Sequence, residues 1–295
     1  MTEKSNHQEK ILLVIKVMKV FLMRISGFYI RIIDMSKKVF FYFFLIFNCV
    51  FHLFGLSNVL FNSESNKYSC VYKSNVREFM LFLPDGFENR SFQEKNTVSL
   101  IIMLHGLGSE SEGFKNMTDF HKLACERNYA VAYVDGTVTK GKTGSSIGWH
   151  FCDDKQSKKD ESFLLDLAKY LKNKYSLNEN CFVAGFSNGA FMVTKLASHY
   201  SSYFTAAASV GGMMPKNVWE GKKSSIKTGF LQINGTKDDV VPMILSGTAK
   251  FNPNPAMEDV IEYFVKANGL SVENKEIISY KNIDINNYNN KICWI

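Results

Sequence analysis

The sequence predicts an α/β fold, a mostly parallel central sheet with helices on both faces. Short apolar runs recur along the chain: VSLIIMLHG from Val98 to Gly106, AVAYVD from Ala130 to Asp135, and CFVAG from Cys181 to Gly185. A strand that is apolar at nearly every position is one buried on both faces. Between these runs lie segments with apolar residues at helical spacing, such as SFLLDLAKYLKNKY from Ser162 to Tyr175. Strands alternating with helices make a parallel sheet covered on both sides. At 295 residues and 46% hydrophobic content, the chain can bury one substantial core.

In chain order, residues 1–57 stand apart as an N-terminal extension. Residues 1 to 38 hold eight basic side chains against three acidic ones, so five of the seven net positive charges sit there. The nearly balanced remainder argues against nucleic-acid binding, which needs Lys and Arg clustered on one face. The 18 residues VFFYFFLIFNCVFHLFGL, Val39 to Leu56, carry no charge and directly follow Lys37 and Lys38. That is the order of a basic n-region and an apolar h-region, with small residues Gly55 and Ser57 placed for cleavage after Ser57. The run is also at the lower limit for crossing a bilayer, which takes roughly 20 residues. Cleaved signal and uncleaved anchor both fit, so the domain is expected to be secreted or membrane-anchored through residues 39–56, its only membrane contact. Met35 is an alternative start that gives a signal of ordinary proportions. Ile11 to Ile33, interrupted by Lys16, Lys19, Arg24 and Arg31, suits an interfacial helix better than a span.

Residues 58–69 (NVLFNSESNKYS) are polar and aperiodic, which predicts a linker, and residues 70–295 form the domain. Val71 to Leu83 reads as a strand stopped by the turn Pro84-Asp85-Gly86. After the strand at Val98 to Gly106 come a helix around Asn116 to Arg127, the strand Ala130 to Asp135 and the helix Ser162 to Tyr175. The strand from Cys181 leads into a helix from Asn188 to Tyr200. Thr205 to Val210 and Gly229 to Asn234 are further strands. Pro255 to Asn268 is an amphipathic helix with proline at its start. Asn282 to Asn290 is expected to be a surface hairpin or loop, and Lys291 to Ile295 the opening of a strand.

Cys70, Cys125, Cys152, Cys181 and Cys293 follow the extension without CxxC or Cys/His metal-ligand spacing, so no metal is expected. In an exported domain some of the five could pair as disulfides, with at least one thiol left over.

Gly185-Phe186-Ser187-Asn188-Gly189 matches G-x-S-x-G, and its setting between an apolar strand and a helix is that of a nucleophile elbow, which exposes a serine hydroxyl above the sheet. His105-Gly106-Leu107-Gly108 ends the first central strand, where backbone amides receive a developing oxyanion. Leu107 and Asn188 are the expected donors, and His105 reads as a structural loop residue. In Asn234 to Pro242 (NGTKDDVVP), carboxylates emerge at the carboxyl edge after a buried strand, in the order serine then acid. Asp238 is the candidate acid, with Asp239 second. Trp149 and His150, beside Phe151, are candidate substrate-pocket residues, with plain packing as the alternative.

LHGLG, GWHFCDD, the acidic run Asp160-Glu161-Ser162-Phe163-Leu164-Leu165, GFSNGAFM and NGTKDDVVP together resemble the secreted polyhydroxybutyrate depolymerase and feruloyl esterase-like hydrolases, over about residues 68 to 295. The resemblance implies an α/β-hydrolase that cleaves esters in polymers or on cell-wall polysaccharides with a Ser-Asp-His triad and no cofactor. It implies Ser187 as nucleophile, Asp238 as acid, and Leu107 and Asn188 as the oxyanion hole. Two departures stand out. The family usually has histidine where this chain has Asn234. More seriously, the family's catalytic histidine follows the acid, whereas the six histidines here are His7, His52, His105, His121, His150 and His199.

The expectation is therefore a serine esterase whose sequence is truncated at the C-terminus, just before its base, with impaired activity. His150 would be a substitute base only by breaking the chain order. The alternative is a catalytically inactive, membrane-held ester- or carbohydrate-binding protein on the same fold. A peptidase or lipase is disfavoured only by the wider motif set, because this fold hosts many chemistries.

Overall fold

The computed structural model describes residues 56–62, 64–141, 144–152, 155–243, 255–280, 283–288 and 292–294. The expectations for residues 1–55 lie outside these.

The strands β1 (Leu56–Asn62), β2 (Lys67–Tyr72) and β3 (Asn75–Phe82) form an antiparallel meander. A short helix α1 (Phe92–Lys95), closed by a capping box between Ser91 and Glu94, precedes β4 (Ser99–Leu104). Helices α2 (Ser111–Thr118) and α3 (Phe120–Glu126) lead to β5 (Tyr129–Val134). A hairpin of β6 (Thr137–Gly141) and β7 (Gly144–Gly148) makes its own two-stranded sheet before the long helix α4 (Lys155–Tyr175). Then come β8 (Cys181–Phe186), α5 (Asn188–His199), β9 (Ala206–Val210), α6 (Lys216–Glu220), β10 (Gly229–Ile233) and α7 (Met257–Ala267). The chain closes with β11 (Lys275–Tyr280), β12 (Ile283–Tyr288) and β13 (Ile292–Trp294).

The main sheet has eleven strands in the order β1-β2-β3-β5-β4-β8-β9-β10-β13-β12-β11. From β5 to β13 every neighbouring pair is parallel, and antiparallel strands flank this centre on both sides. The fully buried β4 shows why the apolar runs are continuous. Leu100, Ile102 and Leu104 join the core beneath α4, α5 and α7, while Ile101 and Met103 pack on the opposite face with Phe114 of α2 and Ala124 of α3. A strand covered on both faces has no side to spare for polar residues. The α/β-hydrolase architecture expected from the sequence is the one observed.

Charged groups inside this core are paired. Lys195 of α5 lies 2.6 Å from Glu161 of α4, and Ser157 and Tyr200 hydroxyls donate to the same carboxylate at 2.5 Å. Burial pushes the Glu161 carboxyl up, but the Lys195 contact and the two hydroxyls outweigh it and hold it below its usual range.

Three expectations need correction. Residues 58–69, read as a linker, supply most of β1 and the start of β2. An edge strand takes its backbone hydrogen bonds from one neighbour and exposes Leu60 and Phe61, so it carries no buried periodicity. The helix at Asn116 to Arg127 is two helices, because Asp119 adopts φ 47° and ends α2 with its amide on Lys115 O at 2.8 Å. Aspartate tolerates that left-handed conformation better than most residues. Finally, Cys70, Cys125, Cys152 and Cys181 form no disulfide.

Candidate active site

At the end of β8 the chain turns through Ser187 into α5 with φ 51° and ψ −117°, a conformation that non-glycine residues rarely adopt. Two contacts hold it there: Ser187 N donates to Val210 O at 2.9 Å, and Phe191 N donates to Ser187 O at 3.1 Å. The flanking glycines make room for the crossing. A Cβ on Gly185 would lie 2.6 Å from the Gly189 carbonyl, and one on Gly189 would collide with Leu104 O and lie 2.6 Å from His105 O. The turn is thus tighter than an ordinary strand-to-helix connection needs to be.

Leu107 follows β4 and Asn188 opens α5, and β4 and β8 are hydrogen-bonded neighbours, so both expected oxyanion residues stand at one sheet edge beside Ser187. Neither backbone N–H donates to a described protein group. Free amides at a helix start and a strand end are donors awaiting an acceptor. The loop is tied down by Gly108 N, which donates to Ile147 O at 2.8 Å.

His105 is fully buried and both ring nitrogens are engaged. Gly136 N donates to Nε2 at 2.9 Å, so Nε2 carries the lone pair, and Nδ1–H donates to Gly106 O at 2.7 Å. Burial keeps this imidazole neutral by lowering its pKa. Its role is structural, as the sequence suggested.

Trp149 does not line a pocket. It is 1% exposed, and its indole N–H donates to His105 O at 3.1 Å. Its backbone is held by the Asn188 carboxamide: Trp149 N donates to Oδ1 at 2.6 Å, and Nδ2 donates to Trp149 O at 3.2 Å. The correction has a simple cause, since an indole at a strand end is more stable buried once its N–H finds a carbonyl. His150 is partly exposed. Its Nδ1 lies 3.0 Å from Asp160 Oδ2 and 3.1 Å from Thr137 Oγ1, and its backbone N–H also donates to Asp160 at 3.1 Å. Arg77 is a site-supporting residue that sequence reasoning missed, and its partner Asp160 entered there only within the acidic run of the family resemblance. The available signal was a lone arginine in the apolar run VREFMLF.

Asp238 sits in the loop after β10, two strands from β8. Its Oδ1 accepts from Val240 N and Val241 N, both at 2.9 Å, which fixes the carboxylate and leaves Oδ2 without a backbone partner. Asp239 is exposed. Asn234 donates to Gly212 O at 3.2 Å, bracing the loop behind the elbow.

Among the described residues no side chain hydrogen-bonds to the Ser187 hydroxyl. His121 packs on Phe82 with ring centroids 4.1 Å apart, beyond α2. His199 is at the far end of α5, about 16 Å along the helix from Asn188, where its Nε2 meets Val218 O at 3.2 Å. No described group of three or more His, Cys, Asp or Glu residues could hold a metal.

A family model described as esterase PHB depolymerase matches residues 78–288. The chain belongs to the esterase PHB depolymerase family. Feruloyl esterase B of Talaromyces stipitatus is 26% identical to this family member over 120 residues, 39% of this chain and 32% of that protein. The match thus spans about a third of that relative's length. Among solved structures, the acetyl xylan esterase from Aspergillus awamori has a TM-score of 0.54 at 13% identity, covering 74% of this chain and 86% of its own, a likeness of fold. A Bacillus cereus carboxylesterase has a TM-score of 0.44 at 15% identity, covering 65% and 80%. In this esterase PHB depolymerase family member the G-x-S-x-G turn runs from Gly185 to Gly189, and the 295-residue sequence has no histidine after Asp238.

Proposed function

We propose that the chain is a carboxylic ester hydrolase working through an acyl-enzyme on Ser187. The observation that carries this reading is the pair of unengaged amides, Leu107 and Asn188, beside a serine held at positive φ. In the reaction, Ser187 Oγ gives its proton to water as it bonds to the ester carbonyl carbon, and the carbonyl oxygen takes the displaced electron pair between the two N–H groups. The carbonyl re-forms as the alkoxide leaves and takes a proton from water, and a second water then adds to the acyl carbon, releasing the acid and returning a proton to Ser187 Oγ. Asp238 is the acid that would orient an imidazole.

No described imidazole reaches Ser187, so turnover is expected to be slow. Loss of a triad costs about 10⁶-fold, while an oxyanion hole and binding alone retain about 10³- to 10⁴-fold over water. The same observation favours a second reading, a protein that binds esters or carbohydrates without turning them over. The proposed substrates are feruloyl, acetyl or hydroxyalkanoate esters, polymeric or polysaccharide-linked. The family description and the feruloyl esterase relative support the feruloyl and hydroxyalkanoate classes. The apolar segment of residues 39–56 supports secretion or membrane anchoring.

The test is hydrolysis of p-nitrophenyl acetate, methyl ferulate and a hydroxybutyrate oligomer by the full chain in mild detergent, beside Ser187→Ala. Turnover abolished by the substitution supports the hydrolase. Equal rates in both proteins, together with saturable binding of a substrate, support the binder.

A further inference from the structure

We infer that Trp149 is a positioning residue that sets the separation of the two oxyanion amides, by bracing the end of β4 against the start of α5. The inference rests on the hydrolase reading above.

The brace consists of three hydrogen bonds from one buried residue. The indole N–H reaches His105 O, two positions before the Leu107 amide, at 3.1 Å. The backbone N–H and carbonyl of Trp149 take both polar ends of the Asn188 side chain, at 2.6 and 3.2 Å. Asn188 therefore divides its labour. Its carboxamide is spent on Trp149 and its backbone N–H is left for the substrate.

The segment carrying Trp149 is itself anchored on each side. After it, His150 N and Nδ1 bind Asp160, whose carboxylate is fully buried and meets Arg77 at 2.6 Å. Before it, Gly148 lies so close that a Cβ there would be 2.9 Å from Asn188 Oδ1 and 2.8 Å from Leu107 Cδ1. The contact thus reaches Leu107 and Asn188 from the same strand. An oxyanion hole works when its donors converge on a single oxygen, and a displacement of about 1 Å costs about 100-fold in rate. Because neither amide is held by a bond of its own, their convergence depends on what braces the chain beside them.

Two variants of the full chain test this. Asn188→Ala keeps the backbone N–H and removes the carboxamide. Trp149→Phe keeps the bulk and removes only the indole N–H. Two readouts are needed: kcat and KM on a p-nitrophenyl ester, and hydrogen–deuterium exchange of peptides covering residues 104–109 and 146–151. Asn188→Ala is expected to lower kcat by about 10- to 100-fold with KM little changed, and to speed exchange in both peptides while β5 keeps its protection. Trp149→Phe is expected to do the same more weakly.

Unchanged kcat with only a lower melting temperature would mean a merely structural role and would overturn the inference. If the unsubstituted chain has no Ser187-dependent turnover, it is the hydrolase reading that fails, and exchange alone then decides the brace. Faster exchange in both segments supports it, and unchanged exchange overturns it.

Discussion

Arg77 Nη1 donates to Asp160 Oδ1 at 2.6 Å, and both side chains are buried, 3% and 0% exposed. The pair joins β3 to the first turns of α4 and lies directly behind the Gly148–His150 segment. Burial pushes the Asp160 carboxyl up, but hydrogen bonds from His150 and the Arg77 charge outweigh it, leaving it ionised below the ordinary carboxylate range. Arg77→Met strands that charge and is expected to cost about 3–5 kcal/mol, read as a lower urea midpoint. Adding Asp160→Leu should recover part of the loss but not the anchoring of His150. A single variant as stable as the parent would show that the pair holds nothing together.

His105 gives the fold a pH dependence on the acid side. Its folded pKa lies below the unfolded value of about 6.5, because burial disfavours the charged form. The unfolded chain therefore takes up the proton first. The stability contributed by neutral His105 is complete above about pH 6.5 and is lost as pH falls from there through the folded pKa. Urea unfolding at pH 7.5 and 5.5 should show a loss that shrinks in His105→Gln. An equal loss in both would place the titration elsewhere, with His121, also lowered by burial, first in line.

Gly189→Ala tests the crossing at the elbow. The added Cβ meets the Leu104 and His105 carbonyls, backbone atoms that cannot swing aside. The expected cost is about 1–3 kcal/mol in urea, with faster hydrogen–deuterium exchange in peptides covering residues 184–191. Unchanged exchange and stability would mean that the turn has slack.

Thiol reactivity should follow burial. Cys152 is exposed, whereas burial pushes the Cys70 thiol up to about 11 and the Cys181 thiol up to about 12. At pH 8, DTNB is expected to modify Cys152 first among the described cysteines, and Cys70 and Cys181 only after unfolding. Early labelling of Cys181 would contradict its position in β8.

The central strands were legible because β4, β5 and β8 are covered on both faces and must be apolar throughout. The glycines and serine of the elbow were legible because the turn tolerates few alternatives. What the sequence hid was settled by distant partners. Trp149 at a strand end reads equally as pocket wall or packing, and the groups that bury it lie 39 and 44 residues away in Asn188 and His105. The hairpin of β6 and β7, TVTKG and GSSIG, is made of small and polar residues with Val138 and Ile147 exposed, so its sequence carries no apolar periodicity. The break at Asp119 needed no glycine or proline to announce it.

The strand order has a kinetic consequence. Leu107, Trp149, Ser187 and Asp238 follow β4, β7, β8 and β10, and in this sheet β8 lies between β4 and β9 rather than beside a strand it follows directly. Each parallel neighbour is reached only after an intervening helix has been laid across a face, so the entropy of every crossover is spent before the next contact repays it. During refolding from urea, helical signal should therefore return well before the amides of β4 and β8 regain their protection from hydrogen exchange, and a chain caught midway would expose the apolar edges of β4 and β8 to other chains.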